Sequence, residues 1–75
     1  MRYGIINAMA EEKAALVAAM TDEKQSTIAG KLFHHGKIGN VDVVVEESGI
    51  GKGASALTTT LLITNFAVDA VINSG

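Results

Sequence analysis

A chain of 75 residues forms one small domain at most, and at this size only about 60% of the unfolded surface is buried on folding, so stability leans on partners or on further polypeptide. The absence of cysteine excludes a disulfide framework and a thiolate zinc site, and fits a cytoplasmic protein. A net charge of −2, with six basic residues scattered from Arg2 to Lys52, leaves no stripe to track a phosphate backbone, so nucleic-acid binding is not expected.

Arg2 to Ile6 reads as a short apolar strand. Asn7 then stands as a candidate N-cap for an alanine-rich helix from Ala8 to about Met20. The lone Arg2 and the acidic pair Glu11-Glu12 match neither a secretory signal nor a transit peptide. Asp22 to Gln25 reads as a polar connection, followed by strands over Ser26–Ala29, Lys31–Ile38 and Val41–Glu47. Gly39-Asn40 has the character of a two-residue hairpin turn. Gly49 to Gly53 forms a loop, Ala54 to about Asn65 a second helix, and Ala70 to Asn73 a buried strand. The uncharged run Gly53 to Val68 holds Ser55, Thr58, Thr59, Thr60, Thr64 and Asn65, and is too short and too polar to cross a bilayer. The order β-α-βββ-α-β predicts an α/β fold with a mixed sheet in a partial single domain covering residues 1–75. Only Asp69 is charged from Gly53 onward, so this half is expected to need covering by more chain than is present.

Strand-to-helix turns are where open α/β sheets bind ligands, and two such turns carry chemistry here. In the first, Glu12 shares a helix face with Ala15, Leu16, Ala19 and Met20, at the head of an apolar stripe, while Glu11 lies about 100° round. A carboxylate at a helix N-terminus is favoured as the anion and burial opposes that, a combination suited to a general base. By pattern alone, a plainer reading carries more weight: glutamates simply suit a first helical turn.

The second turn, Gly49-Ile50-Gly51-Lys52-Gly53-Ala54, fits a loose dinucleotide fingerprint. Asp69 has the right spacing for the ribose-binding acid but precedes its strand, at the wrong sheet edge, so that reading fails. The phosphate-binding P-loop fails as well, because Glu46 stands where a glycine is required and Gly53 follows Lys52. What remains is a tight turn with close backbone approach to a ligand, and Ile50 as an apolar contact. His34 and His35 point to opposite faces of a strand, so one ion cannot take both, and no metal site is expected.

Three segments together, Gly4-Ile5-Ile6-x-Ala8-Met9-x-Glu11-Glu12, Ser48-Gly49-Ile50-Gly51-Lys52 and Val71-Ile72-Asn73-x-Gly75, resemble the bacterial 5′-methylthioadenosine/S-adenosylhomocysteine nucleosidases. The likeness runs through all 75 residues in order and spacing. It implies the N-terminal part of a nucleoside-phosphorylase-like α/β fold, a homodimer in the complete enzyme, and hydrolysis of an N-glycosidic bond to release adenine without a metal or organic cofactor. It implies that Glu12 activates the attacking water, and that Met9 and Ile50 line the ribose and 5′-alkylthio end of an adenine nucleoside pocket.

Asn7 replaces a usual glycine of that family, Ala10 the first acid of a glutamate triplet, and Gly53 and Ser55 also depart from the common pattern. The family's general acid, its ribose-gripping glutamate and its base-stacking aromatic residue lie outside these residues, so the 75-residue chain alone is expected to be inactive and prone to self-association. Two other readings stay open: a purine nucleoside phosphorylase of the same fold, and a non-catalytic self-associating fragment.

Overall fold

The computed structural model describes residues 1–6, 8–47 and 55–73. Its elements are β1 (Arg2–Ile6), α1 (Ala10–Ala19), β2 (Thr21–Ile28), β3 (Lys31–Ile38), β4 (Val41–Glu46), α2 (Ser55–Phe66) and β5 (Ala70–Asn73). The strands form one five-stranded sheet in the order β2-β3-β4-β1-β5. β4, β1 and β5 run parallel, whereas β2, β3 and β4 pair antiparallel through two hairpins. The fold is therefore mixed α/β, and the C-terminal ends of the three parallel strands share one edge.

One helix covers each face. Under α2 lie Ile6, Phe33, Val44, Leu62, Phe66 and Val68; under α1 lie Met20, Val43 and Val45, with Ile5, Leu16 and Ile38 packed against them. Strand parity does the sorting, since Val43 and Val45 point one way and Val44 the other. α2 can lie close because β1 has Gly4 beneath it: a Cβ there would stand 2.8 Å from Cδ1 of the fully buried Leu62. The Phe33 and Phe66 rings meet in tilted contact, with centroids 5.2 Å apart, and close the core at the end of α2.

Three local expectations need correction. The polar stretch Asp22 to Gln25 is strand, because β2 starts at Thr21 and pairs along β3, with Lys24 opposite His35 and Gln25 opposite His34. An edge strand with a solvated face needs little apolar patterning, and the polar run concealed it. A register shift between Thr21 and Lys24, with Asp22 at φ 55, bends its start. Ala29, expected at a strand end, is a turn residue with Gly30, at φ 53 and 76 respectively. Finally, α1 starts at Ala10 with Met9 as its N-cap residue, not after Asn7, which lies outside the described residues.

Candidate active site

Glu12 sits in the first turn of α1, immediately after β1 delivers the chain to the C-terminal edge of the parallel strands. Its Oε1 accepts a hydrogen bond from the backbone N–H of Met9 at 3.0 Å, the reaching-back half of a capping box. Glu11 and Glu12 both lie in the first turn of the helix, at the positive end of its dipole. Beside Glu12 is a hollow of about 350 Å³ lined by Ile5, Glu12, Ala15, Leu16 and Ile72, so its walls are apolar apart from one carboxylate. The structure thus brings Glu12 together with the ends of β1 and β5. Met9 adjoins it through the backbone contact and is itself 62% exposed. Ile50 and the glycine turn around it lie outside the described residues.

The helix face differs from the expected one. Glu12, Ala15 and Ala19 are exposed, and the residues turned to the sheet are Lys13, Leu16, Val17 and Met20. This is the same i, i+3, i+4, i+7 pattern moved on by one residue, about 100° of rotation. In an alanine-rich helix the apolar pattern is too weak to fix the rotation, and Lys13 finds partners on the sheet. Its Nζ donates to the carbonyl oxygen of Glu47 at 2.7 Å. The rotation leaves Glu12 facing the open edge.

Sequence reasoning passed over the polar residues that end β4. Glu46 faces α2, where its Oε2 accepts from the Thr58 hydroxyl at 3.1 Å and lies 3.5 Å from Lys31 Nζ. Glu47 faces α1, and its Oε1 lies 2.8 Å from Nε2 of the buried His34. The other ring nitrogen of His34 lies 2.7 Å from Oε2 of Glu23. Alternation along β3 and β4 does assign these faces. Pairing residues 11 and 13 positions apart requires the strand register, which the misread start of β2 hid.

A larger hollow, about 570 Å³, is elsewhere, at the far edge of the α2 face near Arg2, Lys24, His35, Asp42 and Phe66. Its histidine bonds Ser26 Oγ at 3.1 Å and packs on Phe66. Burial, reinforced by Lys24 and Arg2, holds the His35 imidazole below its ordinary pKa, against a smaller opposing effect of Glu23. Asp69 is at this edge as well: its Oδ2 accepts from the Arg2 N–H at 2.8 Å, and its own N–H donates to the Arg2 carbonyl at 2.7 Å. It is therefore remote from the strand ends where a ribose-binding acid would stand. The strand-end location of Glu12, rather than cavity size, marks the candidate site.

Known proteins share this fold. Residues 2–75 match the Phosphorylase superfamily. A 5′-methylthioadenosine/S-adenosylhomocysteine nucleosidase of Shewanella sp. (strain MR-7) is 55% identical over all 75 residues, which span 32% of that protein. A Weissella paramesenteroides protein, crystallised as a candidate methylthioadenosine nucleosidase, shares 88% identity at a TM-score of 0.87, over 97% of this chain and 31% of that one. A Colwellia psychrerythraea 5′-methylthioadenosine/S-adenosylhomocysteine nucleosidase in complex with adenine gives a TM-score of 0.87 at 49% identity, over 100% of this chain and 31% of that one. The chain spans about a third of the length of the relatives it matches. From its first strand to its last, this chain belongs to the phosphorylase superfamily.

Proposed function

We propose that these residues supply the water-activating segment of a nucleosidase that hydrolyses the N-glycosidic bond of 5′-methylthioadenosine and S-adenosylhomocysteine, releasing adenine. The observation that carries this reading is the position of Glu12: a carboxylate in the first turn of α1, at the C-terminal edge of β1, with one oxygen fixed by the Met9 N–H. Water attacks the anomeric carbon as the bond to the adenine nitrogen breaks. The C–O bond forms, the water proton passes to Glu12, and the bonding pair leaves with adenine. The same anion stabilises the positive charge that builds on the sugar. The proton for the leaving base comes from a residue outside this segment, so the 75-residue chain alone is inactive. The resemblance to the nucleosidases assigns Met9 and Ile50 to the ribose and 5′-alkylthio end. An anionic Glu12 repels phosphate, which favours water over phosphorolysis. The complete protein acts as a cytoplasmic homodimer in methionine salvage and requires no cofactor. These last attributes rest on the resemblance to the nucleosidases.

The test uses a chimera in which residues 1–75 replace the corresponding segment of the Weissella paramesenteroides protein. It is incubated with methylthioadenosine in phosphate-free buffer, and adenine is followed by chromatography. Release of adenine is expected, with a loss of about 10²–10⁴-fold in Glu12→Gln and adenine-nucleoside binding kept within a few-fold. Turnover only on adding phosphate would make the protein a phosphorylase. Near-normal turnover of Glu12→Gln would remove Glu12 from the chemistry.

A further inference from the structure

The grip of α1 on the sheet is uneven. No residue of α1 is buried, and its apolar contacts come from the second half, where Leu16 and the following Met20 meet Val43, Val45, Ile5 and Ile38. In the first turn Ala10, Glu11, Glu12 and Ala14 are exposed, and Lys13 alone among them turns inward. Apolar packing therefore fixes the far end of the helix, while the end that carries Glu12 is fastened by polar contacts.

Those contacts form a chain. Lys13, its side chain 15% exposed, donates to the Glu47 carbonyl at 2.7 Å and lies 4.0 Å from the Glu47 carboxylate. Glu47 is held in turn at its backbone, where its N–H donates to the Leu32 carbonyl at 2.8 Å, and at its side chain by His34 at 2.8 Å. His34 reaches Glu23 on β2 at 2.7 Å through its other nitrogen. Both ring nitrogens of His34 thus lie within hydrogen-bond distance of a carboxylate, and the chain of contacts runs from α1 past the end of β4 to β3 and β2. Hydrogen bonds to charged groups at such a partly desolvated junction are strong and geometrically demanding.

We infer that Lys13, secured by Glu47 and His34, is the positioning residue for Glu12: it pins the first turn of α1 to the end of β4 and so sets where the neighbouring carboxylate stands at the sheet edge. This rests on the reading of Glu12 as the base. A base displaced by about 1 Å costs on the order of 10²-fold in rate, so a tether one residue away has catalytic consequences although it touches no substrate.

The test is made in the chimera. Lys13→Met keeps the aliphatic stem and removes the ammonium. It is expected to lower kcat by about 10- to 100-fold with KM changed by less than about threefold. Lys13→Arg should recover most of that loss. In a Glu12→Gln background Lys13→Met should have no further effect on the residual rate, because a residue that works through Glu12 has nothing left to position. Equal losses in both backgrounds would overturn the inference. A second readout needs no activity: amide hydrogen exchange in residues 10–14 should accelerate in Lys13→Met while residues 16–20 stay protected. Uniform or unchanged exchange would overturn the tether. An inactive parent chimera with accelerated first-turn exchange would retain the tether and overturn the nucleosidase reading instead.

Discussion

Thr58 and Glu46 meet beneath α2, where the threonine hydroxyl donates to the carboxylate Oε2 at 3.1 Å with both residues buried. Lys31 Nζ lies 3.5 Å from the same oxygen. Two contacts of different kinds thus compensate one desolvated charge. Thr58→Val removes a donor and preserves shape, and should destabilise the fold by about 1–3 kcal/mol in urea unfolding of the chimera. Lys31→Met leaves the anion without its cation and should cost more, about 3–5 kcal/mol. If the two variants unfold at the same urea concentration, the ion pair adds nothing beyond the hydrogen bond.

Two glycines face different obstacles. A Cβ on Gly36 would stand 2.9 Å from the backbone oxygen of Thr21, at the bent start of β2, whereas one on Gly4 meets the movable end of Leu62 at 2.8 Å. Side-chain ends yield more readily than backbone. Gly4→Ala should cost about 1–3 kcal/mol and Gly36→Ala more, because the strand start must move. Thermal melts of the two variants give the order directly, and a milder Gly36→Ala would show that the bend is soft.

Both residues of the Ala29-Gly30 turn have positive φ, the backbone of a type I′ hairpin. Alanine is strained there by roughly 1 kcal/mol, and asparagine tolerates it better. Ala29→Asn should raise the melting temperature by a few degrees without touching the site. A lowered melting temperature would mean that the alanine methyl packs usefully.

His35 makes stability depend on pH. Its folded-state pKa lies below the ordinary value of 6.5 because burial, Lys24 and Arg2 all disfavour the imidazolium. Between the folded value and 6.5 the unfolded chain binds more protons, so stability rises with pH across that window. The contribution is fully present above 6.5 and is lost as pH falls through the folded value. Subtracting the unfolding profile of His35→Gln from that of the parent should isolate this slope. A flat difference would mean that the histidine titrates alike in both states.

The glycine hairpin, the apolar strands and the second helix were legible because local chemistry specifies each of them. β3 runs from Lys31 to Ile38 and β5 from Ala70 to Asn73, the expected bounds, but β5 is not the buried strand expected: Ala70 and Val71 are half-buried and Ile72 and Asn73 exposed. β2 was not legible over Thr21 to Gln25, because a polar edge strand is defined by its partner rather than by its own residues. The face of α1 is not legible for a related reason: its alanines leave rotation to be decided by Lys13 and Glu47, which are 34 positions apart. The candidate base was visible as a motif, whereas the polar chain around it depends on register. Alternation placed His34 and His35 on opposite faces, but not their partners.

That alternation also sets how the segment tolerates changes of length. Glu46 and Glu47 are chemically identical neighbours, yet one answers to Thr58 and Lys31 and the other to His34 and Lys13. A one-residue insertion between Val41 and Val44 would keep every side chain in the segment and still exchange the two carboxylates' faces. Val44, 1% exposed in the α2 core, would turn over with them. β4 should therefore accept conservative substitutions at many positions while rejecting single-codon insertions and deletions almost everywhere. In a mixed library, that would appear as a strand permissive in its spelling and strict in its count.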